Sequence, residues 1–504
     1  MKYLIKNSYP ILCVFILLFS SCTKEDDTSD SVNENNHIQD FYMIYQGVPT
    51  AKDTLADLSS YAAYSSAIRF ELLSQQPSNS IYISEEGLII ATADAANNIG
   101  EDTILQGEVA VSSPTEERTI NFHILLSSQA LFVSHWKLED SYELQLPLYE
   151  GTKDDPTEYD FQVDWGDGTV DHITSPTDKK AKHYYATTGE KKLSIIGKLK
   201  GFNFYANNHS KNFITDISAW GDVLIGNKGA YFYQCSNLAT FSASDAPDLS
   251  QTTDLTACFF GARNFNGDIG HWDVSTITHM REMFLNNSSF NQSLAHWDVS
   301  NVRTMRKMFR WATHFNQDIS SWDVSKVKDM SYMFQHAFAF NQNLASWDVS
   351  EVEDMEWMFN NAIAFNGDIS TWDVSKVLDM EQMFLKAYAF NGDISSWNVG
   401  SVTNMERMFY DADAFNANLS AWDVSYVTDM ERMFYSANAF NGNISAWDVS
   451  NVTDMERMFY SAVIFNQDLS AWNTEKVVSC DEFSLYSGMS SEHLPTKGSC
   501  FGNE

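Results

Sequence analysis

Phe415-Asn-Ala-Asn-Leu419-Ser-Ala-Trp422-Asp-Val424-Ser-Tyr-Val427-Thr-Asp-Met430-Glu-Arg-Met433-Phe434-Tyr-Ser-Ala437-Asn-Ala439 is one copy of a unit that recurs every 25 residues without insertion. Its phenylalanine repeats from Phe265 to Phe465 and its tryptophan from Trp272 to Trp472, nine times each. A fixed period between about 20 and 50 residues marks an array of stacked units. The fold therefore follows from what one unit buries and how it meets the next.

Within the unit, Leu419, Trp422 and Val424 read as a short extended stretch. Met430, Met433, Phe434 and Ala437 fall at i, i+3, i+4 and i+7, one face of a short helix. Thr428/Glu431, Thr403/Glu406 and Thr453/Glu456 have capping-box spacing, and Asp329, Asp354, Asp379, Asp429 and Asp454 are alternative caps. A lone copy has too few apolar side chains to offset the entropy of ordering it, so copies must stack. The expected fold is a right-handed α/β solenoid of short parallel strands and short helices, in the broad leucine-rich-repeat style. The recurring Trp-Asp-Val-Ser does not make a WD-type propeller, whose blades need about 40–45 residues for four strands.

Two polar ladders accompany the apolar ones. Asn266, Asn291, Asn316 and their equivalents through Asn466 follow each phenylalanine, and as buried amides they are expected to bond the backbone of the next turn. Asp273, Asp298, Asp323, Asp348, Asp373, Asp423 and Asp448 follow tryptophan, with Asn398 and Asn473 replacing two. Like charges about 5 Å apart repel by roughly 0.8 kcal/mol even in water. Either these carboxylates cap turns by accepting backbone N–H groups, or cations such as calcium sit between them. No spacing matches an EF-hand loop, and no metal or cofactor is assigned.

The chain has 504 residues, a net charge of −35 and 44% hydrophobic residues, which fits several folded domains and argues against a nucleic-acid partner. Residues 265–472 hold 27 acidic and 12 basic side chains. Residues 1–22 read as a leader: Lys2 and Lys6 precede an apolar run from Ile11 to Phe19, too short to span a bilayer. Ser20-Ser21-Cys22 completes a resemblance to a bacterial lipoprotein signal, which implies Cys22 as the lipidated first residue and a membrane partner through that anchor. Lys24-Glu25-Asp26-Asp27 resembles the acidic export tag of surface-exposed lipoproteins in Bacteroidetes. Residues 23–37 are polar and free of aromatics, hence a flexible tether. Cys480 and Cys500 could form a disulfide in an oxidising compartment; Cys235 and Cys258 read as buried apolar fillers.

Residues 38–128 contain alternating runs such as Ala67–Leu72, Ser80–Ile83 and Thr119–Ile124, expected to form a β-sandwich with a faint resemblance to cadherin-like modules. Residues 131–200 carry Val163-Asp164-Trp165-Gly166-Asp167-Gly168-Thr169, then His183-Tyr184-Tyr185 and Gly189, a pattern that resembles PKD-type immunoglobulin-like domains. Asp164 and Asp167 are turn residues or calcium ligands on this reading. Residues 201–264 are the expected N-terminal cap of the repeats, 265–479 the repeat array and 480–504 the C-terminal cap. With the Phe132–Lys137 opening, the Ile217–Asp222 segment and the repeat itself, residues 131–490 resemble BspA-like surface lipoproteins. That resemblance implies an outer-membrane, cell-surface attachment protein whose ligand is a host or matrix protein, a neighbouring cell or a glycan.

No nucleophile–base pairing or phosphate loop is visible, and the histidines His271, His279, His296, His314 and His336 occupy differing phases, so no catalytic residues and no enzyme are expected. Binding residues are sought where copies differ. One column runs Leu285, Arg310, Gln335, Asn360, Leu385, Tyr410, Tyr435, Tyr460, and its three tyrosines are expected to form an exposed strip backed by Glu406/Arg407, Glu431/Arg432 and Glu456/Arg457. Trp311, Trp357, Tyr332 and Tyr388 add aromatics to the candidate ligand set of Tyr410, Tyr435, Tyr460, Arg407, Arg432, Arg457, Trp311 and Trp357. The competing readings are a structural spacer or stalk and a carbohydrate-active enzyme.

Overall fold

The computed structural model describes residues 39–501, apart from 47–53, 58–68, 78–79, 86–87, 93–102, 113–116, 128–129, 140 and 206–208. The leader, Cys22 and the 23–37 tether lie outside the described residues. Among the described residues no helix is long and apolar enough to cross a membrane.

Seven strands come first: β1 (Gln39–Gln46), β2 (Thr54–Asp57), β3 (Arg69–Gln76), β4 (Ile81–Ile83), β5 (Leu88–Ala91), β6 (Thr103–Ser112) and β7 (Glu117–Ser127). They form a four-stranded sheet in the order β1-β7-β6-β3 and a three-stranded sheet in the order β2-β5-β4. Alternate residues point to one side of a strand, so Ile120, Phe122 and Ile124 of β7 join Val109 of β6 and Leu55, Ile81 and Ile89 of the smaller sheet in one core.

Strands β8 (Phe132–Leu138), β9 (Glu143–Gln145), β10 (Glu158–Asp164), β11 (Val170–Ile173), β12 (Lys182–Tyr184), β13 (Gly189–Lys200) and β14 (Ile214–Ala219) build the next unit. Five of them make a sheet in the order β11-β10-β13-β8-β14, and β12 pairs with β9. The β10–β11 hairpin turns on Gly166 and Gly168, with φ of 75° and 89°. Asp164 Oδ1 accepts the Gly166 N–H at 2.8 Å and Asp167 Oδ1 the Thr169 N–H at 3.2 Å, so both aspartates act as turn caps. Because β14 pairs with β8, this sheet extends past residue 200 into the segment read as a cap.

The sheet hands its backbone on to the repeats. Lys200 at the end of β13 bridges in parallel to Leu224, and Leu224 to Asp248. From Asp254–His279 onward such bridges recur at the repeat interval up to Asp454–Ser479. One hydrophobic core runs unbroken from Trp136 in β8 to Phe483 after the last copy.

The expectation of a right-handed α/β solenoid is overturned. Among the described residues from 254 to 486 there is no helix, and strand pairing is reduced to one bridge per copy. The Met430–Ala437 segment instead makes two successive turns, with left-handed backbone at Arg432 (φ 53°) and Ser436 (φ 52°). Inside the copy, the Met433, Tyr435 and Ala437 N–H groups bond carbonyls three residues back at 3.1–3.2 Å. Between them, Met430, Arg432, Phe434 and Ser436 donate to Asp454, Glu456, Met458 and Tyr460 of the next copy at 2.7–3.0 Å. An α-helix keeps all those bonds to itself and needs about 10 Å of width. The ring ladders hold copies far closer: Phe265 through Phe465 stack at 5.6–6.2 Å between centroids. Two turns bury the same i, i+3, i+4 and i+7 positions as a helix, so the apolar pattern alone did not distinguish them. With no helix to cap, Thr428 Oγ1 donates to the Thr403 carbonyl at 3.1 Å.

Each tryptophan Nε1 from Trp297 to Trp472 donates to a carbonyl 28 residues earlier at 2.9–3.2 Å. The asparagine ladder bonds successive copies, each Oδ1 accepting the next asparagine's N–H at 2.8–3.0 Å. It runs along the surface, however, not through the core. Each aspartate after tryptophan caps its own turn, as when Asp423 Oδ1 accepts the Ser425 N–H at 3.0 Å. Cys480 and Cys500 form a disulfide across the C-terminal cap, with Cα atoms 6.1 Å apart, and Cys235 and Cys258 are free and buried.

Candidate functional site

Copies differ at several exposed positions, and the aromatic and arginine variants gather on the two turns. Their inward residues are one methionine–phenylalanine core throughout. Their outward residues are Glu431, Arg432, Tyr435 and Ser436 in one copy and Glu356, Trp357 and Asn361 in another. Because every copy repeats the same backbone, these side chains form straight columns, and a column's chemistry is set by what stacks on what.

Tyr410, Tyr435 and Tyr460 stack face to face, with centroids 4.4 and 4.8 Å apart and planes within 6°. The strip expected to be exposed is half-buried, because each ring covers its neighbour's face. What remains open to a partner is ring edges and phenol oxygens. Beside it, Arg407, Arg432 and Arg457 alternate with glutamates in an unbroken chain. Arg407 touches Glu406 and reaches Glu431 at 2.8 Å; Arg432 bridges Glu431 and Glu456 at 2.7 and 2.9 Å; Arg457 bridges Glu456 and Glu482 at 3.0 and 2.6 Å.

Trp311 and Trp357 do not meet. Trp311 is 38% exposed and stacks on His336 at 3.8 Å. Trp357 stacks on Tyr332 at 5.4 Å and donates Nε1 to Glu381 at 3.2 Å. Beside this second pair lies a buried polar row, so Gln335 and Asn360 of the column sought as a binding face turn inward: Asn360 Nδ2 donates to Gln382 Oε1 at 3.3 Å, and Gln382 Nε2 to Glu381 at 2.8 Å. Its only sequence signal is the presence of Gln335, Asn360 and Gln382 at positions flanking core methionines and phenylalanines.

Carboxylates dominate the middle of the face. Oxygens of Glu356, Asp379 and Glu381 lie within 4.8 Å of one another, the one grouping among the described residues able to hold a metal ion. Each is already engaged: Glu356 with Arg306 at 3.4 Å, Asp379 with the Glu381 N–H at 2.8 Å, and Glu381 with Trp357 and Gln382. Burial raises Asp354 to about 6 and Glu406 to about 7, for Glu406 despite the opposing pull of Arg407. Turn-capping aspartates such as Asp298 and Asp373 go the other way, held low by hydrogen bonds from Ser300 and Ser375.

A family model described as "Mycoplasma protein of unknown function, DUF285" matches residues 227–347, 333–439 and 393–487, together more than half of the chain. No curated protein and no solved structure matches it.

Proposed function

The chain belongs to the DUF285 family through its repeats, and from that premise we propose that it is a surface-exposed, lipid-anchored binding protein that attaches to its ligand through the two-turn face of the repeats. The observation that carries this reading is the contrast between a core that is the same in every copy and outward turn columns that change from copy to copy. Selection for stacking alone constrains the inward positions and leaves the outward ones plain. Here the outward ones hold tyrosines, tryptophans and arginines, the residue types that concentrate binding energy. The resemblance to BspA-like surface lipoproteins and the Ser20-Ser21-Cys22 leader support the surface location, and the PKD-like reading of residues 131–200 supports a presenting module beneath the repeats.

The ligand class is a host or matrix protein, a neighbouring cell or a glycan. Since the tyrosine faces are occupied by one another, that column engages a partner through hydroxyls and ring edges. A spacer role is the alternative, favoured by the shared core that joins sheet and repeats. The test is to display the full protein on cells and to probe protein and glycan arrays with it. Retention of a ligand, lost on exchange of outward turn residues, supports binding. Failure to retain any arrayed ligand, with attachment unchanged in cells lacking the protein, leaves the spacer. Hydrolysis of an arrayed glycan makes it an enzyme.

A further inference from the structure

Positive charge is concentrated in one part of the repeats. Residues 281–328 hold seven of the twelve lysines and arginines between 265 and 472, against four acidic residues; the remainder hold five against twenty-three. Three of those cations converge on a single ring, with Arg306, Lys307 and Arg310 lying 5.0, 5.5 and 5.5 Å from the Tyr332 centroid. Glu356 and Glu282 offset the first two at 3.4 and 3.6 Å. Arg310 has no carboxylate partner among the described residues, and its Nε is buried without a hydrogen bond. One copy further on, Gln335 is 2% exposed with Oε1 unpartnered, and the buried Nδ1 of His336 has no partner either. Burial first, then Arg310 and Lys386, lower the pKa of that imidazole to about 4. Trp311 stacks one face on His336, and no described ring stacks on the other.

We propose that this patch binds an acidic saccharide, its carboxylate or sulfate on Arg310 and a sugar ring against the exposed part of the Trp311 indole. A guanidinium fork matches either anion, and the flat indole matches the apolar face of a pyranose. The exposed indole beside Arg310 favours a saccharide over an acidic peptide side chain, which has no apolar ring face to lay against it. This inference rests on the repeats being a binding surface and adds the ligand's chemistry.

The test titrates the full chain, in low and high salt, with a galacturonate hexamer, a heparin-type sulfated hexasaccharide, neutral cellohexaose and a polyglutamate peptide. Binding of at least one anionic saccharide, weakening as salt rises, is expected. Arg310→Gln and Trp311→Ala each lower that affinity about tenfold or more while circular dichroism stays unchanged and melting falls only modestly, by the lost ring contacts. Should Arg310→Gln fail to fold, Arg310→Lys decides: it keeps the charge, loses the fork and is expected to bind more weakly than wild type. Silence with both anionic saccharides, equal binding of cellohexaose, or an unweakened Arg310→Lys overturns the proposal. Polyglutamate binding that survives Trp311→Ala also overturns it and marks an acidic-peptide surface. Cell attachment that persists without acidic-saccharide binding removes this subsite alone; wild-type protein that attaches to nothing removes the binding reading with it.

Discussion

At the scale of the residue, stability comes from rings and amides that work by repetition. Phe365 is fully buried between Phe340 and Phe390 at 6.0 and 5.9 Å and lies 3.9 Å from Phe359. Phe365→Ala opens a cavity that neighbours locked in the same ladder cannot refill, and is expected to cost about 3–5 kcal/mol by denaturant unfolding. A loss under about 1 kcal/mol contradicts the packing. Asn391 Oδ1 accepts the Asn416 N–H at 2.8 Å on the surface, where water can replace it. Asn391→Ala should therefore cost only about 0.5–1.5 kcal/mol in the same measurement. A cost like that of Phe365→Ala would make the amide ladder part of the core.

At the scale of the element, the two-turn segment explains both what the sequence disclosed and what it concealed. The period, the Phe and Trp ladders and the aspartate caps were legible because each depends on one residue type at a fixed interval. The helix was misread because Met430, Met433, Phe434 and Ala437 are buried alike in a helix and in two turns; the difference lies in left-handed Arg432 and Ser436, residue types that do not announce that conformation. The binding face was only half legible for a related reason. Columns of tyrosine are visible in the sequence, but their stacking on one another, and the gathering of Arg306, Lys307 and Arg310 on Tyr332, depend on the spacing between copies. Far-UV circular dichroism is expected to lack the helical double minimum, and a helix signal from the repeats would restore the overturned fold. The same segment makes a pH prediction. Asp354 and Glu406 are raised to about 6 and about 7, so the folded chain holds protons there that the unfolded chain, at 3.8 and 4.5, releases. Their contribution to stability is present below the unfolded values and lost as pH rises through 6 to 7. Melting temperature should fall from about pH 5 to about pH 8, and Glu406→Gln should flatten the slope. A melting temperature that climbs over that range contradicts the burial of these carboxylates.

At the scale of the whole molecule, a continuous core from β8 to Phe483 makes sheet and repeats one rigid presenting unit, closed by the Cys480–Cys500 disulfide. Such a unit offers a long face instead of a pocket, and the outward turn columns are where its aromatic and arginine variants gather. The most direct test is attachment of cells displaying the full protein, compared with cells displaying the Tyr410→Ala, Tyr435→Ala, Tyr460→Ala triple variant. A Tyr426→Ala variant serves as control, since that ring is 65% exposed but lies outside the two turns. The expected result is a large loss of attachment in the triple variant, none in the control, and melting of the triple variant lowered only by the loss of two stacked pairs, about 1–3 kcal/mol. Equal attachment by all three proteins, with the triple variant folded, would contradict the account.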